Sequence, residues 1–198
     1  PQGLTADGLS VVTSAVKQGV SLAGVNVMAM DYGSWAAPNP QGKMGDYAIA
    51  AAESTFAQLK QVYGTTKTDA ALWRMVGLTP MIGVNDLTDE VFDQTEAREV
   101  ADYAARKQLG MLSFWSLNRD VASTTGSGRA TALDSGIVQS KLEFATRFGA
   151  TAPYGLGEVH LLAFDPTRLP EADDPWVRAH VVALVRHAWE RRAIAATR

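Results

Sequence analysis

An acidic and an aromatic side chain, Asp31 and Tyr32, stand at the end of a short apolar run that could position them for chemistry. The run covers residues 25–33 and reads VNVMAMDYG, which is too short for a free-standing helix and is typical of a buried strand. In parallel α/β architectures, catalytic groups come from the C-terminal ends of the strands. Asp31 is therefore a candidate site residue, although the same pattern fits an Asp that only caps the following loop.

Two later runs repeat this arrangement of an apolar segment that ends in polar or aromatic side chains. Residues 78–86 read LTPMIGVND and end in Asn85 and Asp86, and residues 110–120 read GMLSFWSLNRD and carry Trp115 near their end. Parallel strands place all their C-terminal ends together. We therefore expect Asp31 and Trp115 to open onto the same end of a sheet, with Asn85 between or beside them.

The segments between these runs predict the helices that hold the strands in place. Apolar spacing, capping residues and glycine stops predict helices over residues 5–20, 44–63 and 93–108, a short helical turn over 69–76 and a closing helix over 135–148. Asp93 and Glu96 have the spacing of a capping box. Helices alternate with strands, and no hairpin signal separates them. The pattern predicts an α/β fold whose strands, near residues 25–31, 78–84 and 111–116, are parallel and adjacent in that order.

Length and composition are those of an ordinary globular protein, and they exclude several functional classes. The chain has 198 residues, of which 46% are hydrophobic and 20% charged, with a formal net charge of −3, so nothing suggests a nucleic-acid partner. No cysteine is present, which excludes disulfides and thiolate metal sites. No apolar run reaches the ~18 residues of a membrane-spanning helix, so none is expected. The length is short of the ~250 residues of a complete (β/α)8 barrel.

The three strand motifs together resemble the last three barrel strands of the glycoside hydrolase family 18 chitinases, in the bacterial form that carries MAMDYG on strand six. The resemblance covers residues 4–148. It implies a partial (β/α)8 TIM barrel made of strands six to eight with their helices. It also implies an extracellular enzyme that hydrolyses β-1,4-linked N-acetylglucosamine polymers with retention. Such enzymes work by substrate assistance: the substrate's own acetamido oxygen attacks the anomeric carbon, which makes them exceptions to the two-carboxylate pattern.

The same resemblance assigns roles to individual residues. Asp31 and Tyr32 would hold and polarise the acetamido group, and Met28 would line the pocket beneath it. Met30 stands where many relatives have a Tyr, so the sequence leaves open which side chain contacts the acetamido carbonyl. Trp115 matches the Trp that forms the floor of the sugar site, and its ring would stack on the distorted sugar.

Two further positions carry alternative interpretations. Trp35 lies in the Pro- and Gly-rich loop over residues 34–45 and could be an outer sugar platform or simply an exposed loop residue. Asn85, with Asp86, follows a strand and could bind sugar hydroxyls or only cap the next loop.

The general acid of the family is missing from the sequence. That acid is a Glu that protonates the leaving oxygen and ends a DxxDxDxE motif. Asp86 and Asp89 have the spacing of the first two acids of the motif, but no DxE follows them. Two alternatives to a chitinase therefore stay open: a non-catalytic carbohydrate-binding fragment, or an inactive remnant or fusion. The expected partners are chitin or chito-oligosaccharides, together with a missing N-terminal half of the barrel or a second copy associating through exposed sheet edges.

The C-terminal segment differs from the rest of the chain. We divide the sequence into residues 1–149, the chitinase-like part, and residues 150–198, an appended unit with a strand predicted over 158–164 and a helix over 176–197. His180 and His187 lie seven apart on that helix, but no third ligand is evident, so no metal site and no cofactor are predicted.

Overall fold

The computed structural model describes residues 1–123 and 128–151. Its helices are α1 (Ala6–Lys17), α2 (Met44–Tyr63), α3 (Asp69–Trp73), α4 (Gln94–Lys107) and α5 (Glu143–Thr151), with a 3-10 turn at Leu117–Arg119. Its strands are β1 (Val25–Ala29), β2 (Val76–Pro80), β3 (Gly83–Val84), β4 (Val91–Phe92) and β5 (Met111–Leu112).

A three-stranded parallel sheet in the order β1-β2-β5 positions the candidate site residues. Val25 pairs with Val76 at one end of the β1–β2 ladder, and Gly77 pairs with Met111 across β2 and β5. A parallel bridge between Met81 and Trp115 extends the second pairing beyond the strands. The predicted order and parallel direction of the three strands are therefore confirmed.

The two faces of this sheet have opposite characters. Val27, Ala29 and Leu78 are buried against the helices in one core, since alternate residues of a strand point to opposite faces. On the other face Met28 is 74% exposed. Polar side chains also lie on that face: the side-chain amide nitrogen of Asn26 donates to Thr79 Oγ1 at 2.7 Å.

The helix caps follow the sequence signals. Thr5 Oγ1 accepts from the Gly8 amide at the start of α1, and α2 ends before Gly64, whose φ of +55° suits a glycine. Asp93 and Glu96 form the predicted capping box at the start of α4. These local contacts depend on residues close in sequence, which explains why helices α1, α2 and α4 match their predictions to within a few residues.

The second predicted strand is shorter than expected, because the chain beyond it forms a hairpin that the sequence analysis did not predict. β2 ends at Pro80, and β3 pairs antiparallel with β4. The Val84 amide donates to the Ser135 carbonyl at 2.8 Å. A Cβ on Gly83 would lie 1.9 Å from that carbonyl oxygen, so the close approach requires glycine. Because residues 83–84 and Ser135 are far apart in the chain, their contact leaves no recognisable pattern in the local sequence.

The predicted closing helix over 135–148 is wrong in its first half, because α5 begins only at Glu143. Gly136 and Leu142 have φ values of +76° and +59°, which a right-handed helix does not contain. The Asp120 carboxylate accepts from the Phe144 and Ala145 amides at 3.1 and 2.8 Å. A carboxylate that is distant in sequence therefore satisfies the first amides of α5.

The prediction of an appended unit at 150–198, with His180 and His187, lies almost wholly outside the described residues. Within residues 1–123 and 128–151, no helix has the length and hydropathy needed to cross a membrane.

Candidate functional site

Asp31 and Trp115 lie at the same end of the parallel sheet, as the sequence analysis expects. Asp31 lies two residues beyond the end of β1, and Trp115 lies just beyond β5, where its amide donates to the Pro80 carbonyl at 2.8 Å. The Trp115 carbonyl accepts from the Ile82 amide at 2.8 Å, so Trp115 is held at the C-terminal end of β2 as well. Its neighbour Phe114 is buried against the helices, which places the half-buried Trp115 ring on the opposite face. The Trp115–Ser116 peptide bond is cis.

The chain turns sharply at Asp31, and the β3–β4 hairpin holds the turn. Asp31 has a φ of +49°, an uncommon value for a residue other than glycine. Its carboxylate Oδ1 accepts from the Leu87 amide at 3.1 Å, and its own amide donates to Asn85 Oδ1 at 3.4 Å. The Asp31 side chain is therefore fixed from the hairpin loop at the same end of the sheet.

Asn85 is fully buried and its side chain bonds the backbone on every side. Its amide nitrogen Nδ2 donates to the Met81 and Gly83 carbonyls at 3.0 and 3.1 Å, and its Oδ1 accepts from Asp31. With 0% of its surface exposed, Asn85 has no face open to a ligand. Of the two interpretations left open by the sequence, this geometry favours the loop cap over the sugar contact.

Tyr32 packs toward α2. Its hydroxyl donates to the Tyr47 carbonyl at 3.4 Å, and the two rings meet edge to face with their centroids 6.2 Å apart. Burial and then the charge of Glu90 raise the pKa of Tyr32. The phenol is therefore neutral at physiological pH and acts as a hydrogen-bond donor.

The Asp31 carboxyl group has a raised pKa. Burial is the largest cause, and the like charge of Asp86 acts in the same direction. The Leu87 amide bond and the positive charge of Arg119 oppose the increase. At a given acidic pH, more of the Asp31 carboxyl stays protonated than it would in the unfolded chain.

Asp86→Asn should lower the pKa of Asp31 toward its ordinary value. The substitution removes a like charge that raises this pKa, while the backbone amide of residue 86, which also contacts Asp31, is retained. A pH titration of the Asp31 carboxyl carbon by NMR measures the change. A midpoint that rises in the variant would contradict the arrangement of charges described here.

The remaining predicted residues surround the same end of the sheet with different exposures. Met28 lies on the face opposite the helices, 74% exposed, and Met30 is half-buried beyond the end of β1. Trp35 is 83% exposed and lies beside Gly33, where a Cβ would meet its ring at 3.4 Å. These three side chains and Trp115 leave apolar surface around Asp31, but their roles toward a sugar stay predictions.

Two buried charged residues that the sequence analysis did not select complete the site. The Glu90 carboxylate, 1% exposed, accepts from the Tyr32 and Gly33 amides at 3.0 and 2.7 Å. Arg119, also 1% exposed, donates from Nη2 to the Val84 carbonyl at 2.6 Å and from Nε to the Asp134 carbonyl at 3.3 Å. Glu90 belongs to no motif, and Arg119 lies in the third strand motif without a predicted role; only the folded chain brings the two residues near Asp31.

The described part of the chain contains no group of three or more His, Cys, Asp or Glu side chains placed to hold a metal ion.

Two curated relatives match part of this chain, while no family model matches it. A probable bifunctional chitinase/lysozyme from Escherichia coli is 43% identical over 129 residues, which are 63% of this chain and 14% of the relative. Endochitinase 11 from Metarhizium anisopliae is 43% identical over 125 residues, which are 61% of this chain and 24% of the relative. The chain therefore spans only a small part of these two proteins.

Solved chitinase domains share the fold of the matched part. The catalytic domain of a hyperthermophilic chitinase from Pyrococcus furiosus superposes with a TM-score of 0.66 at 37% identity, over 75% of this chain and 46% of that domain. A catalytic-site mutant of active domain 2 of the P. furiosus chitinase, complexed with chito-oligosaccharides, gives a TM-score of 0.67 at 35% identity, over 80% of this chain and 48% of that domain. The resemblance to chitinases is confirmed, over about half of a catalytic domain.

Proposed function

Since the matched part of this chain is homologous to chitinases, we propose that it carries the sugar-holding side of a chitinase site, built on strands six to eight of a (β/α)8 barrel. The observation that carries the proposal is the position of Asp31 and Trp115 at the C-terminal ends of the sheet, on either side of β2. Active sites of such barrels lie at that end. We also propose, from the family resemblance alone, an extracellular location.

Asp31 is the residue that we assign to the acetamido group. Substrate assistance requires the acetamido oxygen to reach the anomeric carbon, so the group must be held in one orientation. A carboxyl group fixed by the Leu87 amide, with a raised pKa, can bond the acetamido N–H and favour that orientation. Tyr32, kept neutral by burial, would have to exchange its 3.4 Å bond to the Tyr47 carbonyl for one to the carbonyl side of the group, because a phenol has a single O–H to donate.

Trp115 is the residue that we assign to the sugar ring. Its aromatic face complements the apolar face of a pyranose, and it lies on the open face of the sheet together with Met28. Trp35 would extend this apolar surface outward from the site.

A second candidate function is carbohydrate binding without hydrolysis. The specific observation in its favour is that no DxxDxDxE motif occurs anywhere in the sequence. Asp31 and Trp115 would then bind a sugar without a general acid to cleave it. In either case we propose that the edges at β1 and β5, which end the described sheet, are paired by the remainder of a barrel or by a second copy.

Binding of a chito-oligosaccharide to the purified chain tests the proposal. We expect a dissociation constant in the millimolar range, about −4 kcal/mol, because only one side of a cleft is present. Trp115→Ala should remove the binding measured by NMR titration. Trp73→Phe, which alters a Trp stacked on Phe56 away from the site, is the control and should bind like the unaltered chain. Binding that survives Trp115→Ala unchanged would show that the stacking role is wrong.

A further inference from the structure

We infer that Glu90 is a positioning residue that aims the Asp31 carboxyl group into the site, an inference that rests on the proposed role of Asp31. Glu90 and Tyr32 are 58 positions apart in sequence, yet the Glu90 carboxylate bonds the two amides that follow Asp31. The bonds are 3.0 Å from Tyr32 to Oε2 and 2.7 Å from Gly33 to Oε1. Each carboxylate oxygen therefore holds one amide of the turn over residues 31–33.

The turn over residues 31–33 needs contacts from other parts of the chain to keep its backbone conformation. Asp31 has a φ of +49° and Gly33 a φ of +76°, so neither residue continues the strand or starts a helix. A backbone in such a conformation persists only when its surroundings fix it. The direction of the Asp31 side chain depends on that backbone, because Cβ is fixed to Cα.

The hairpin loop that carries Glu90 is itself held by bonds to its own backbone. The Asn85 amide donates to the Glu90 carbonyl and the Glu90 amide donates to the Leu87 carbonyl, both at 2.9 Å. The same loop supplies Asn85 Oδ1 to the Asp31 amide and the Leu87 amide to the Asp31 carboxylate. Three successive amides, those of Asp31, Tyr32 and Gly33, are thus bonded by two side chains of one loop.

The bond lengths make Glu90 the stronger of these two side chains. Its bonds to the Tyr32 and Gly33 amides are 3.0 and 2.7 Å long, whereas the Asn85 bond to the Asp31 amide is 3.4 Å. Glu90 is also 1% exposed, so water does not compete for its oxygens. No step of the proposed sugar chemistry uses Glu90 directly, and both its oxygens already accept backbone hydrogen bonds.

Glu90→Gln is the informative variant. A carboxamide keeps the size of the side chain but has one acceptor oxygen, so its NH2 group would face one of the two amides. We expect the Tyr32 and Gly33 amide resonances to shift. We expect the Asp31 titration midpoint to fall toward its ordinary value as the turn loosens and Asp31 becomes more hydrated, with the charges of Asp86 and Arg119 still nearby. Affinity for a chito-oligosaccharide should fall about tenfold.

Glu96→Gln is the matched control. Glu96 is another buried carboxylate, 3% exposed, and it accepts from the Met44 and Asp93 amides at 2.6 and 2.8 Å. It lies between the starts of α2 and α4, so its loss should lower stability and leave the Asp31 midpoint unchanged. If the two variants move the Asp31 midpoint equally, or if neither moves it, the positioning role is overturned.

The unaltered chain supplies a measurement that does not depend on how the variant folds. Scalar coupling across the hydrogen bond between the Gly33 amide nitrogen and the Glu90 carboxyl carbon reports the 2.7 Å contact directly. Its absence would overturn the inference, and its presence supports it. Failure of the unaltered chain to bind chito-oligosaccharides would instead refute the proposed function, while the titration and the coupling would still test Glu90.

Discussion

The purified chain should hydrolyse a fluorogenic chito-oligosaccharide at least about 100- to 10,000-fold more slowly than a complete chitinase assayed beside it. General acid catalysis is worth about that factor, and no DxxDxDxE motif occurs in the sequence. Under the proposed function, the other half of a barrel would orient the other side of the substrate, and the loss of that positioning would multiply the deficit. In the proposed function Asp31 and Trp115 hold a sugar, and neither is placed to protonate a leaving oxygen.

The control in this assay is Asp31→Ala. If the residual fluorescence comes only from spontaneous breakdown of the reagent, the unaltered chain and Asp31→Ala should give the same rate. Robust turnover that Asp31→Ala abolishes would contradict the prediction and show that another residue supplies the acid. Asp86, Asp89 and Glu90 would then be replaced in turn, with Glu90 last because both its oxygens accept backbone amides.

Leu78→Ala should lower the free energy of unfolding by about 2–5 kcal/mol, the usual cost of a large cavity in a packed core. Leu78 lies in the central strand β2, with 0% of its surface exposed, between partners on β1 and β5. It is part of the core under the helices. A urea titration followed by tryptophan fluorescence measures the loss.

Leu133→Ala is the matched control for this prediction. Leu133 is 78% exposed, so the same substitution should change the free energy of unfolding by no more than about 0.5 kcal/mol. Equal losses at the two positions would contradict the burial of β2 in the core. The comparison tests the fold without reference to any sugar.

Local sequence signals were sufficient for most of the regular elements. Helices α1 and α4 begin where Thr5 and Asp93 supply their caps, and α2 ends before Gly64. The apolar runs of β1 and β2 could be recognised because a buried strand needs apolar residues over its length. These features depend on residues a few positions apart, so the sequence displays them directly.

Elements defined by distant contacts were not predicted. The β3–β4 hairpin depends on the approach of Gly83 to the Ser135 carbonyl, and the start of α5 depends on the Asp120 carboxylate. Neither contact produces a hydrophobic period or a characteristic residue spacing that could be recognised in the sequence. The expectation of a continuous strand to residue 84 and of a helix from residue 135 failed for this reason.

For the candidate site, too, some residues could be predicted from the sequence and others could not. Sequence alone, through the motif around Asp31 and the position of Trp115, was enough to expect both residues at one end of a parallel sheet and to name the family they resemble. Only the tertiary structure decided that Asn85 is a buried residue whose side chain caps the loop. It also decided that Glu90 and Arg119 lie near Asp31. The physical reason is that a buried apolar run and the polar residues that follow it are visible in the local sequence, whereas the partners of a buried charge are chosen by the whole fold.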